Sequence, residues 1–230
     1  LTNKLIAAAL LSALLIGQAA YAGDPAAPTI PVAQTPEQAL ARLLATSPQA
    51  KHQAIPLDGS PALITGLSVP TTGATWDARA RHFLAAFPVL PASLDTLRVV
   101  ETRSASGRHS VMFAQTVGGL HVWERSAVVT MDDAGRVLTL TSSLIRVEAV
   151  ARGGVDEQAA RIAAARAVLG PKADASVTKQ AAQVLIAQPG SAEQVWMVSL
   201  DAFSPTLMRP LVFVSAVTGQ VLAIRDHSMR

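Results

Sequence analysis

The chain has 230 residues with 19 Lys and Arg against 16 Asp and Glu, so its net charge is only +3. That length allows one or two domains with a sizeable core. The charges are interspersed without a run of like sign, so the electrostatic footprint of a nucleic-acid binder is lacking. Cysteine is absent, which removes disulfides, thiolate catalysis and cysteine-bound zinc together.

The chain opens with Lys4, an uncharged apolar run over Leu5–Gly17, and Ala20-Tyr21-Ala22. This is the pattern of a secretory signal peptide, with cleavage expected before Gly23. The apolar run is shorter than the ~20 residues that a helix needs to span a bilayer, so no stable membrane anchor is expected. The protein is predicted to be secreted or periplasmic. Residues 23–34, punctuated by Pro25, Pro28 and Pro31, read as an extended lead-in.

Thr35-Pro36-Glu37-Gln38 is a helix start: Thr35 can cap, Pro36 suits the first turn, and Gln38 completes a capping box. Leu40, Leu43 and Leu44 then share one face before Pro48 ends the helix. Ile55–Leu57 and Leu63–Val69 read as a weak strand pair across Asp58-Gly59-Ser60-Pro61. A helix over Thr75–Phe87 follows from Trp76, Ala80, Phe83, Leu84 and Phe87 at helical spacing, with Pro88 as its stop.

A strand is expected near Leu97–Arg103, and the stretch His109–Leu144 reads as an antiparallel meander. Its first run meets Gly118-Gly119, a second extends from Leu120 to Met131, and Asp133-Ala134-Gly135 leads to a third from Arg136. Glycine pairs between strand-like runs favour the mirror-image turns that match strand twist. Arg152-Gly153-Gly154 is the expected subdomain boundary. Beyond it, Val155, Ala159, Ile162, Ala165 and Leu169 form an apolar helical stripe, stopped by Gly170-Pro171. Four strands are then expected over Ala182–Gln188, Gln194–Asp201, Leu211–Ala216 and Gln220–Asp226, leaving Arg225–Arg230 as a polar tail.

No catalytic constellation is visible. His-Glu-x-x-His, Gly-x-Ser-x-Gly and both glycine-rich nucleotide loops are missing. Pairing across Gly118-Gly119 puts His121 opposite Thr116, seven residues from His109, so these two histidines stand about 20 Å apart and cannot share a metal. Asp132 and Asp133 read as a turn rather than a calcium loop, and Asp156 with Glu157 fits the negative charge favoured at a helix start. Gln115 interrupts an apolar strand and is expected at a half-exposed position with local hydrogen bonds. Trp123 and Trp196 are expected in the core or on a sheet face, although an edge tryptophan can anchor a partner. No cofactor and no metal is expected.

Several of these residues carry a resemblance. Phe83 and Phe87, the strand near Leu97–Arg103, Gly107-Arg108-His109, then Gln115, Gly119 and Val122, and finally Asp132 with Gly135 and Val137 resemble the fungalysin/thermolysin propeptide domain. That family shows Gln-x-x-x-Gly-x-Pro-Val followed by Asp-x-x-Gly-x-Val. The chain departs from it at His121, where the family usually has proline, and at Glu124-Arg125, where a glycine is common. The second half is similar to the PepSY module, through Trp196-Met197-Val198 and through Val214-Ser215-Ala216-Val217-Thr218-Gly219-Gln220-Val221, with Ser215 in place of the usual aspartate.

The resemblance implies an α+β chain of antiparallel sheets with packed helices. Two cystatin-like or PepSY-like subdomains would stand in tandem, over residues 35–151 and 152–230. It also implies a non-enzymatic prosegment that assists the folding of a zinc metallopeptidase domain, expected beyond Arg230, and blocks its cleft. A free-standing inhibitor of the same fold is the alternative, and an enzyme with a dispersed site a third. Gln115, Gly119, Trp123, Arg225, Asp226 and His227 are the candidate contacts to the peptidase.

Overall fold

The computed structural model describes residues 35–54, 61–200 and 209–226. The expected signal peptide and lead-in, Ile55–Leu57, and His227 with the residues after it lie outside these. Residues 34–230 form one compact unit. Among the described residues twelve strands and three α-helices give an α+β composition dominated by sheet. Among the described residues no helix is long and apolar enough to cross a membrane.

Helix α1 (Pro36–Thr46) begins where the capping box requires. The Gln38 amide donates to Thr35 Oγ1 at 3.3 Å, and the Thr35 amide donates to Gln38 Oε1 at 3.1 Å. Each bond satisfies a donor that the helix start leaves without an intrahelical partner. Ala39 and Leu43 are its buried positions, with Leu40 packed beside them. Helix α2 (Trp76–Ala86) starts at Thr75, whose side chain accepts from the Ala78 amide, and buries Ala80, Phe83 and Leu84.

Strand β1 (Lys51–Ala54) pairs with β2 (Pro61–Thr65). Of the pair predicted between Ile55–Leu57 and Leu63–Val69, the first member lies outside the described residues, and the strand seen to pair with β2 is Lys51–Ala54. Lys51-His52-Gln53-Ala54 is exposed at all four positions, so a pattern search for apolar residues passes over it. The short β3 (Val69–Pro70) pairs with Val137 and Arg136, at the start of a later strand.

The meander follows as read: β4 (Leu97–Ala105), β5 (Arg108–Val117), β6 (Leu120–Asp132) and β7 (Arg136–Ser142) pair antiparallel in sequence order. Gly118 and Gly119 both hold positive φ, 56° and 83°, as a two-residue turn of the mirror-image type requires. His121 faces Thr116, as the turn dictates, while His109 faces Met131. Along one face of these strands Val111, Phe113, Ala127, Val129, Met131, Val137 and Leu140 meet α1 and α2 in the largest core. Burying each of the larger side chains contributes about 1.5–3 kcal/mol.

Strand β8 (Val147–Ala151) runs parallel to a later strand, pairing with Gly190–Glu193. It was not predicted, because its alternation is weak and two of its five residues are alanine. Helix α3 (Glu157–Leu169) starts on Asp156, whose carboxylate accepts from the Ala159 amide at 2.7 Å. Its buried face is Ala160, Ala164 and Ala165, whereas Leu169 is 47% exposed. Of the predicted stripe, Ala165 is buried and Val155 packs against this core, while Ala159 and Leu169 are exposed, so the buried face is turned from the expected one. The sheet beneath supplies the bulk through Val198, Leu200, Val212 and Val214, so the helix presents its small residues there and approaches closely.

The closing strands β9 (Thr178–Gln188), β10 (Gly190–Leu200), β11 (Pro210–Ser215) and β12 (Val221–Asp226) form an antiparallel set. Arg225 and Asp226 belong to β12, paired with Leu211 and Pro210, and so do not start a tail. The two sets of strands join where Val122 of β6 pairs in parallel with Leu185 of β9.

Candidate functional site

Strand β6 changes partner along its length. Beyond Ser126 it pairs with β7, and at Val122 it pairs with β9. The change is made at Glu124-Arg125. Glu124 has φ 56°, a left-handed conformation that costs a side-chain-bearing residue roughly 1–2 kcal/mol. A glycine would hold this conformation without that cost. Ser143 holds the bend: its hydroxyl donates to the Glu124 carbonyl at 2.8 Å and accepts from the Ser126 amide at 3.0 Å. Arg125 spans the joint, donating through Nη1 to the Ser143 carbonyl and through Nη2 to the Ala187 carbonyl of β9, both at 3.2 Å.

Trp123 and Arg225 complete the surroundings. The Trp123 indole meets Phe213 edge-on with ring centroids 5.2 Å apart, and Arg225 Nη1 donates to Glu124 Oε1 at 2.6 Å. Together with Ile186, Ala187 and Ala223 these side chains line a cavity of about 230 Å³. Two donors in its wall residues, Trp123 Nε1 and Arg125 Nε, are buried without a hydrogen-bond partner.

Gln115 is not half-exposed but buried, with 2% of its surface accessible. A bulge between Ala114 and Thr116 interrupts the alternation of β5. The amide then meets one backbone unit: Nε2 donates to the Ile145 carbonyl at 2.8 Å and Oε1 accepts from the Ile145 amide at 3.3 Å. It clamps the segment that leads into β8 and is not on the surface. Gly119 stands exposed at the hairpin tip, and Arg225 is exposed at the edge strand.

His109 sits at the far end of β5. It stacks on Trp76 with centroids 3.6 Å apart, Ser104 Oγ lies 2.8 Å from its Nδ1, and Asp133 Oδ1 lies 2.8 Å from its Nε2. The Asp133 side chain is 76% exposed, so this Ser–His–Asp chain has neither the enclosure nor the aligned oxyanion donors of a nucleophilic site. Its effect is to fasten the β4–β5 hairpin to α2. Among the described residues no group of three His, Asp or Glu side chains could hold a metal ion.

In the second half, Trp196 donates from Nε1 to the Val155 carbonyl at 2.7 Å and ties the start of α3 to the sheet. Ser215 is fully buried, and its hydroxyl accepts from the Val217 and Thr218 amides at 3.1 and 2.9 Å. It thus supplies the acceptor that caps this turn. The bend at Glu124-Arg125 was legible in sequence only as a charged pair interrupting an otherwise apolar strand.

Three comparisons bear on this geometry. No curated protein matches the chain. Among solved structures it is similar to the Bacillus megaterium YpeB C-terminal domain, at 11% identity over 83% of this chain and 95% of that one. The TM-score is 0.38, which is too loose a likeness to carry an argument. Residues 95–144 match the Fungalysin/Thermolysin Propeptide Motif, and they span the β4–β7 meander with its bend, its Gly-Gly turn and the Gln115 clamp. Over that stretch the chain is similar to the propeptide motif of the fungalysins and thermolysins.

Proposed function

We propose that this chain is the exported prosegment of a thermolysin- or fungalysin-like zinc metallopeptidase, which it helps to fold and whose cleft it blocks until it is cut away. The observation that carries the reading is the propeptide motif at residues 95–144. The PepSY-like pattern over Trp196–Val198 and Val214–Val221 supports a second, partner subdomain after Gly153-Gly154. A partner that binds only the native protease stabilises it by mass action.

The meander offers a surface for such a partner. Its inner face packs on the helices, while Ser110, Met112 and Val128 on the other face line a hollow of about 420 Å³ with Glu101, Arg103 and Arg108. Among the described residues strand β4 pairs with β5 alone, and its Val99 and Val100 are 37% and 55% exposed. An edge of this kind can take an added strand, with main-chain hydrogen bonds giving the affinity.

The experiment is refolding of a denatured thermolysin-like catalytic domain with and without the purified chain, followed by peptide turnover. The chain should raise the yield of native peptidase and inhibit it at stoichiometric concentration. A chain that does neither refutes the prosegment reading. Inhibition without any gain in refolding favours the free-standing inhibitor.

A further inference from the structure

We propose that the free edge of β4 takes up, in parallel, an extended segment of a partner polypeptide that carries acidic side chains at alternate positions. Three observations converge on this occupant.

The first is how the matching edge is used elsewhere in the molecule. The order of α2, a 3-10 turn at Leu94–Thr96 and the strands β4 to β7 recurs as α3, a 3-10 turn at Ala175–Val177 and the strands β9 to β12. Each helix starts on a side-chain cap, Thr75 or Asp156. In each set the last hairpin turns at a glycine of positive φ, Gly135 at 77° and Gly219 at 75°. Strands β4 and β9 therefore hold equivalent places, each beside the second strand of its set. The outer edge of β9 is taken by β6, which pairs with it in parallel at Val122 and Leu185, and Val184, Leu185 and Ala187 are buried there. Among the described residues the outer edge of β4 has no such neighbour, and Leu97 alone of its nine residues is buried.

The second is charge. Arg98, Glu101 and Arg103 face Ala114, Met112 and Ser110 of β5, across the bulge that follows Val99. Those partners alternate, so the three charged residues share one face of the sheet. Arg108 lines the same hollow as Glu101 and Arg103. Arg103 is paired with Glu101, and Asp132, opposite Arg108, is held by Arg136 at 2.8 Å. Arg98 and Arg108 make no ion pair among the described residues. Arg81 of α2 adds a further cation at the start of the strand, where its Nη2 donates to the Leu97 carbonyl at 3.2 Å. Against these stand Glu101 and, ahead of the strand, Asp95. The excess is positive, and opposite charges on neighbouring strands attract.

The third is the other face of the same edge. Val99 faces Phe113, on the helix side, and is 37% exposed, while Val100 in the bulge is 55% exposed. An added strand alternates its side chains between the two faces. One that sets acids toward the arginines thus sets the residues between them toward Val99, where β-branched side chains cover it.

That the acidic strand belongs to the peptidase domain rests on the prosegment reading; the chemistry of the edge does not. The probe is the peptide acetyl-Thr-Glu-Val-Glu-Val-Glu-Thr-amide, titrated into the full chain labelled with nitrogen-15. Amides of β4 should shift saturably, and the peptide with glutamine at each acidic position should bind about tenfold more weakly or worse. A nitroxide on the amino end of the peptide should broaden amides near Leu97 more than those near Ala105. Arg98→Gln and Arg103→Gln should each weaken the acidic peptide about threefold, and Glu101→Gln should strengthen it by a similar factor. That opposite sign is what mere disturbance of the fold would not produce.

Charged side chains and bulges also serve to keep an edge unpaired. A chain that binds neither peptide has its arginines for that purpose, and the proposal falls. Equal binding of the two peptides, broadening in the reverse order, or weaker binding in Glu101→Gln overturns it as well. So do β4 amides that move with chain concentration in the absence of peptide, which assign the edge to a second copy. If the acidic peptide binds but an added thermolysin-like catalytic domain does not displace it, the edge stands and the peptidase is not its partner.

Discussion

Replacing Gln115 with methionine tests the clamp between β5 and the segment before β8. The two side chains are similar in length and volume, so the change removes an amide without opening a cavity. Gln115 and Ile145 are 2% and 3% exposed, so water cannot readily replace the bonds of 2.8 and 3.3 Å that the Ile145 carbonyl and amide would lose. Each buried group left unpaired costs about 1–3 kcal/mol. Burying the methionine side chain in place of the amide returns about 1 kcal/mol, so the net loss is about 3 kcal/mol. With a urea m-value of about 2 kcal/mol/M, the denaturation midpoint should fall by about 1.5 M, followed by circular dichroism and tryptophan fluorescence together. The loosening should also be local. Arg146 follows Ile145 and accepts from the Gly190 amide at 3.0 Å, so amides of Val147–Ala151 should exchange faster than those of β6. A midpoint within a few tenths of a molar of the parent, with unchanged exchange in β8, would show that the clamp holds nothing.

The two glycine positions should separate backbone strain from collision. Gly119 has φ 83° and open space around a would-be Cβ, so Gly119→Val should cost about 1–3 kcal/mol through strain alone, and Gly119→Asn markedly less. At Gly153 a Cβ would run into the Ala216 carbonyl, which already accepts from the Val155 amide at 3.0 Å. Gly153→Ala should therefore cost about 3 kcal/mol or more, and denaturation midpoints that rank the two valine and alanine variants in the reverse order would refute the assignment. Asp132 gives a pH dependence. Burial opposes its ionisation, but hydrogen bonds from the Arg136 backbone and side chain outweigh this and lower its pKa from the ordinary 3.8. A folded-state pKa below the unfolded one contributes stability at pH above 3.8, lost as the pH falls through the lowered value. Asp132→Asn should then be less stable than the parent near neutrality, and the gap should narrow below that pH. A gap that stays constant down to acid unfolding would assign the loss to something other than this ion pair.

Much of the chain was written locally. Thr35 with Gln38, Thr75, and Asp156 start helices through bonds that span three residues. Gly118-Gly119 fixed the β5–β6 register through backbone freedom alone, so that His121 had to face Thr116. The meander and the propeptide resemblance lie in such short-range signals. What tertiary structure decided depends on which surface each element meets. Gln115 became a buried clamp because a bulge turned it toward Ile145, a residue thirty positions away. Helix α3 presents alanines because β10 and β11 fill the space with valine and leucine, and no helical periodicity records what lies opposite. Arg225 and Asp226 fall both in the strand expected over Gln220–Asp226 and in the expected polar tail, and the ladder to Leu211 and Pro210 decides for the strand. The β6 bend is the sharpest case. Glu124 and Arg125 are two charges in a strand by sequence, and only the meeting of β6, β7 and β9 makes them a joint. There the strand exchanges one neighbour for another, and the energy of the surrounding hydrogen bonds holds a side-chain-bearing residue in a conformation it does not prefer by itself.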